Sequence, residues 1–184
     1  MHLRTVATLA VFLPLLAACG KVQEAATEKL AEKAMEAAAA KDGTKAKVDL
    51  SGGGLKVTTT DEKGQTATAT YGTAHVTEAD LGVPFYPGAK ADGNGSGSRI
   101  ESPDGVMATV TLHSADAPEK VAAFYREALK SRAAGKQFTD MTNADMTLLS
   151  MADEAAKAQI QVSVTKSEQG SDIQVVSTHA AAPK

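Results

Sequence analysis

Few side chains in this sequence are of the kind that do chemistry, and their spacing limits what each can do. Cys19 is the only cysteine, and it closes the run Leu16-Ala17-Ala18-Cys19-Gly20. Its thiol suits covalent attachment, whereas a disulfide or a multi-cysteine metal site needs a second cysteine. The four histidines, His2, His75, His113 and His179, are scattered. None has the His-x-x-x-His or His-Glu-x-x-His spacing that sets two imidazoles on one helix face, so no metal site is expected. His113, Ser114 and Asp116 supply the residue types of a nucleophilic triad. However, sequence neighbours on a strand point to opposite faces, and triad members come from separate segments. No Gly-x-Ser-x-Gly elbow is present. The acid pairs Asp61-Glu62 and Asp153-Glu154 fall in predicted turns and read as solvated charge rather than general acid/base groups. Asp92-Gly93-Asn94-Gly95 has the start of a calcium loop, but the further acids and the terminal Glu are not at the required spacing. Gly93, Gly95 and Gly97 alternate, yet a dinucleotide fingerprint opens a helix, and here a strand is expected to follow. No catalytic, cofactor-binding or metal-ligating residue is therefore expected, and the chain is read as a non-enzyme.

What precedes Cys19 gives that thiol its meaning. Val6 to Ala18 is an apolar run, led by Arg4 and interrupted by Pro14. It is shorter than the ~20 residues of a membrane-spanning helix and has the parts of a secretory signal. With small residues at Ala17 and Ala18, Leu16-Ala17-Ala18-Cys19 resembles the lipobox of bacterial lipoproteins. The resemblance implies cleavage before Cys19, a diacylglycerol on its thiol and acylation of the new amino group. Two or three chains hold a protein at a membrane far more firmly than one. Gly20, rather than Asp, after Cys19 implies sorting to the outer membrane if the envelope is Gram-negative. The alternative is an ordinary cleaved signal that leaves a free thiol.

Composition narrows the class further. Removing residues 1–18 takes away Arg4 and no acid, so the net charge moves from −3 to −4. Nucleic acid is held by clustered Lys and Arg, and no such cluster is present. With no Trp, three Tyr and four Phe, a sugar-stacking platform or aromatic cage is not expected.

The elements that must position any site follow from periodicity. Lys21 to Lys41 predicts a stem helix, with Val22, Ala25, Ala26, Leu30, Ala34, Met35 and Ala38 at three- and four-residue spacing. Its stripe is mostly Ala, which suits a spacer or a close contact with a partner. Lys45 to Ser51, Leu55 to Thr60 and Gln65 to Tyr71 predict a small β meander broken at Gly52-Gly53-Gly54 and Asp61-Glu62-Lys63-Gly64. Leu81 to Ala89 carries two prolines and two glycines. It is expected to be extended, with Phe85 or Tyr86 in the core. Val106 to His113 alternates as a strand. Asp116-Ala117-Pro118-Glu119 predicts a capped helix start, with Asp116 as cap and Glu119 closing a capping box. Val121, Phe124, Tyr125, Ala128 and Leu129 form its buried stripe. Three strands follow, over Asp145 to Met151, Lys157 to Lys166 and Asp172 to Thr178. Tyr86, Phe124 and Tyr125 could line an apolar groove, but with few other large side chains they are expected to fill the core.

The expected fold class is α+β: an N-terminal amphipathic Ala-rich helix, a small β meander, then strand-helix-three strands in an antiparallel sheet with one packed helix. The expected division is 1–18 signal, 19–43 lipidated Cys and stem helix, 44–78 β meander and 79–184 α+β domain. On these segments the mature chain resembles an uncharacterised family of small bacterial lipoproteins and secreted proteins. The residues that carry the likeness are Val83 to Ala89, with Tyr86-Pro87-Gly88-Ala89, and Asp116 to Tyr125, as Asp-x-Pro-Glu-x-Val-x-x-Phe-Tyr. After Leu129 the chain departs from that pattern, with no Trp in Ser131 to Lys136. The resemblance implies the fold and the anchor, and brings no activity.

The functional expectation is a lipid-anchored cell-envelope protein acting as a non-catalytic binding module. Its partners would be the membrane, through Cys19, and another envelope protein, with no nucleic acid, metal or cofactor. The alternative is a carrier of a small apolar ligand or lipid, held under the helix Pro118 to Lys130.

Overall fold

The computed structural model describes residues 29–38, 45–50, 54–72, 76–91 and 97–181. Cys19 and its lipobox, His2, His75, the Asp92–Gly95 run and the first part of the expected stem helix lie outside the described residues.

Helix α1 covers 29–38. Strands β1 (Lys45–Asp49), β2 (Leu55–Thr60) and β3 (Thr66–Tyr71) follow, then a helical turn α2 (Glu78–Leu81) and strands β4 (Lys90–Ala91), β5 (Gly97–Ser102) and β6 (Gly105–Ser114). Helix α3 (Pro118–Lys130) leads to β7 (Gln137–Thr142), β8 (Met146–Asp153), β9 (Ala158–Ser167) and β10 (Gly170–His179). The ten strands among the described residues form one sheet in the order β1-β2-β3-β5-β6-β10-β9-β8-β7, with β4 beside the far end of β6. All pairings are antiparallel.

Strict alternation builds the centre of this sheet. Ala108, Val110 and Leu112 of β6, Ile173 and Val175 of β10, Ile160, Val162 and Val164 of β9, and Leu149 and Met151 of β8 all turn to one face and are buried. Helix α3 lies on that face through Val121, Ala122, Tyr125 and Leu129. Each buried Val, Leu, Ile or Met side chain here contributes roughly 1.5–3 kcal/mol. Leu81, Val83 and Tyr86 complete the same core.

The fold class is α+β, but the sheet is larger than expected. The meander strand β3 pairs with β5, so β1 to β3 continue the main sheet. Strand β7, not anticipated, forms the other edge. Helix α1 falls within the expected stem helix Lys21 to Lys41, while the short helix α2 is additional to the two helices expected. Just before the Pro/Gly segment, α2 forms because Thr77 and Asp80 make a reciprocal capping box, and Gly82 ends the turn in the left-handed region at φ +69°. The cap of α3 is also corrected. Ala117, not Asp116, is its N-cap, with no side-chain cap bond, and Glu119 closes no box. The Asp116 carboxylate is engaged elsewhere. On α3, Ala122 is buried in place of Ala128, and Phe124 is half-buried.

Candidate functional site

The two motifs that carry the family resemblance meet in space. The Tyr86 hydroxyl donates to Asp116 Oδ2 at 2.7 Å, and the Tyr86 backbone N–H donates to the Tyr125 hydroxyl oxygen at 3.1 Å. Phe124 stands edge-on to both rings, with centroids 5.3 Å from Tyr86 and 5.1 Å from Tyr125. Asp116 also holds the Lys120 ammonium at 3.0 Å, and its carbonyl accepts from the buried Ser171 hydroxyl at 2.7 Å. The Tyr86 hydroxyl, and then Lys120, hold the Asp116 carboxyl below the usual range. Burial, first of all, pushes the Tyr125 phenol up to about 12. A phenol that ionises only near that value is no base at neutral pH. The cluster is a latch that fixes the Pro/Gly segment onto α3, and it bears out the core reading of Tyr86 and Tyr125.

The triad residues are separated. Ser114 turns into the core face, where its Oγ accepts from the Asp116 backbone N–H at 3.1 Å. His113 turns to the opposite face and pairs through Nδ1 with Asp172 Oδ1 of β10 at 3.0 Å. Asp172 is the register partner of His113, a relation that sequence spacing does not reveal. Ser167 lines the same open hollow of about 310 Å³, but its buried Oγ makes no hydrogen bond, to His113 or to any other group. No Ser–His–Asp relay is assembled there. Among the described residues, no cluster of His, Cys, Asp or Glu is arranged to hold a metal ion. Asp153 receives Lys136 at 3.5 Å and the Ala156 N–H at 3.0 Å, while Asp61 receives the N–H groups of Lys63 and Gln65. These acids are turn-forming groups.

The surface opposite α3 is the part that sequence reasoning missed. Register partners share a face. One row of partners crosses the sheet as Val48, Val57, Ala69, Ile100 and Met107, then Thr178 and Gln159. A second row gives Leu55, Tyr71, Ser98, Thr109, Val176 and Gln161. The apolar face of the sheet therefore changes sides. From β6 to β8 it lies under α3, and from β1 to β5 it lies on the outer face. Thr58, Thr68 and Thr70 occupy the α3 side of the meander, where Thr58 and Thr68 face each other with oxygens 3.4 Å apart. Tyr71 is 41% and Met107 37% exposed on the outer stripe. Ile100, Met107, Thr178 and His179 border an open hollow of about 290 Å³ at its end.

By contrast, the side chains between α3 and the sheet are hidden from solvent. Val121, Tyr125, Leu129, Leu149 and Ile173 are each wholly buried.

Arg99 pins this region to α2. Its Nε donates to Asp80 Oδ1 at 3.0 Å, and it pairs with Glu101 on its own strand. Burial pushes the Asp80 carboxyl up, but the Thr77 hydroxyl and N–H, together with Arg99, outweigh it and leave the group below the usual range.

The family described as START domain-like matches residues 94–172, under half of the chain. The matched stretch contains β5 to β9 with α3 and the first residues of β10. No curated protein and no solved structure matches the chain.

Proposed function

We propose that this protein is a lipid-anchored envelope protein that works as a non-catalytic binding module, with the outer stripe of the sheet as its binding surface. The observation that carries the reading is the change of apolar face at β5–β6. On the α3 side Val121, Tyr125 and Leu129 are wholly buried, while on the other side Tyr71 and Met107 are exposed and Ile100 is half-buried. Apolar side chains left accessible on one face of a sheet favour a contact with another macromolecule. The lipobox residues Leu16 to Cys19 support an anchor at Cys19, and Gly20 supports the outer membrane of a two-membrane envelope. The occupant in this reading is another envelope protein.

A photo-crosslinking amino acid at Met107 tests it in cells, beside one at the exposed Ala123 of α3. A discrete protein adduct at position 107, absent at 123 and lost on Ile100→Asp, is the expected result. Equal labelling at both positions would sink the reading.

The START domain-like match favours a second reading, a ligand-binding or carrier module. An apolar ligand under α3 would then require the helix to lift from the sheet. Organic extraction of the purified protein, followed by mass spectrometry, tests it, and one lipid species at near one-to-one ratio would support it.

A further inference from the structure

Strand β1 ends the sheet, and two of its outward backbone donors are taken up by a helix. The Val48 N–H donates to Glu36 Oε1 at 3.0 Å, and the Leu50 N–H donates to Glu32 Oε1 at 3.0 Å. The spacing explains the fit. Four residues of helix rise about 6 Å, and two residues of strand about 6.8 Å, so carboxylates four apart meet alternate amides. A bare edge is a template for another strand, and α1 occupies it with side-chain acceptors instead. Leu30 and Met35 of the helix point away from the sheet, 71% and 44% exposed, whereas Val48 of the strand is buried.

The edge beneath is self-complementary. Lys47 and Asp49 lie on one face of β1, and Ala46 and Val48 lie on the other. Antiparallel pairing of two copies about a two-fold axis at Val48 sets Lys47 opposite Asp49 of the partner subunit, and Asp49 opposite Lys47 of the partner subunit. Ala46 then faces Leu50 of the partner subunit. The outward groups of residues 46, 48 and 50 would exchange about six backbone hydrogen bonds. Centring on Ala46 instead would set Lys45 against Lys47, so charge selects the Val48 register.

We propose that α1 is a removable cover over the β1 edge, and that its removal lets two copies of this chain join their sheets through β1 in the Val48 register. This pairing is independent of what binds the outer stripe.

The test uses the full chain, purified from membranes in mild detergent. Sedimentation equilibrium reads its association, and amide hydrogen exchange reads the Val48 and Leu50 N–H groups. In Glu32→Ala/Glu36→Ala both amides should exchange at least tenfold faster in the monomer at low concentration, and the dimer dissociation constant should fall at least tenfold. Glu32→Gln/Glu36→Gln keeps the accepting oxygens and should behave as the parent. Adding Lys47→Asp to the Ala pair should return the monomer, and adding Lys47→Asp with Asp49→Lys should restore the dimer. Unchanged exchange in the Ala pair would overturn the cover. A persistent monomer despite faster exchange, or a dimer indifferent to Lys47→Asp, would overturn the pairing.

Discussion

Tyr125→Phe removes a single oxygen, and the structure sets what that should cost. The residue is wholly buried, and its hydroxyl oxygen is the acceptor for the Tyr86 N–H at 3.1 Å. Without it a buried backbone donor loses its partner, a penalty of about 1–3 kcal/mol. A central expectation is a loss of about 2 kcal/mol; at a urea slope of about 2 kcal/mol/M this lowers the unfolding midpoint by about 1 M. Tyr86→Phe is the contrast. Its hydroxyl donates to Asp116, but that carboxylate is solvent-accessible and keeps Lys120, so the loss should be smaller than for Tyr125→Phe. The alkaline limb separates the two further. The folded Tyr125 phenol titrates near 12 because it is buried, and an unfolded one near 10. Because the folded value is the higher one, this contribution is complete below pH 10 and is lost as pH rises towards 12. Two units correspond to roughly 2–3 kcal/mol. Urea midpoints from circular dichroism at pH 7 and across pH 9.5–11.5 check both points. The Tyr125→Phe chain should lose the part of the slope that the parent owes to this residue. If Tyr86→Phe costs as much as Tyr125→Phe, or if both chains lose stability in parallel above pH 10, the assignment of Tyr125 as the buried keystone is wrong.

Two further outcomes follow from the same geometry. Gly170 opens β10 at φ +131°, and an added Cβ would collide with the Ser114 carbonyl oxygen and the Ala115 backbone. Gly170→Ala should therefore cost more than about 2 kcal/mol, read as a lower thermal midpoint, and an unchanged midpoint would show that β6 and β10 do not approach as described. Asp80, Asp116, Asp140 and Asp153 all have carboxyls held below the ordinary value of 3.8. Their folded values are depressed, so their contribution is present above about pH 4 and is lost as pH falls through the folded values. The urea midpoint should drop between pH 5 and pH 2.5, and Arg126→Ala should flatten part of that drop by releasing Asp140, which it grips at 2.6 Å.

The centre of the fold was legible because it is buried on one face only. Val106 to His113, Ile160 to Val164 and Ile173 to Val175 alternate without interruption, and α3 announces itself through Val121, Tyr125 and Leu129. Strand β7 was not legible for the opposite reason. Gln137-Phe138-Thr139-Asp140-Met141-Thr142 lies at an edge and is largely exposed. Its charged Asp140 turns to the α3 side, where Arg126 neutralises it, a relation fixed only by tertiary structure. The turn α2 carries a local signal, Thr77-x-x-Asp80 followed by Gly82, but it is a single turn, too short to show a helical period. Asp116 has the right type and place for a helix cap, and a capping rule cannot foresee that Tyr86, thirty residues earlier, claims its carboxylate. The outer stripe was hidden for a different reason. Alternation in Lys45 to Ser51 and Leu55 to Thr60 shows that each strand has an apolar side, but only the register across β3, β5 and β6 shows that this side lies opposite α3.

The most direct test of an anchored binding module with a closed interior is intact mass spectrometry of the full-length protein extracted from membranes, under native and denaturing conditions. The expected result is a chain that begins at Cys19 and carries the mass of two or three acyl chains, identical under both conditions. An unmodified Cys19 would contradict the anchor, and an additional small molecule retained only in the native spectrum would contradict the closed interior.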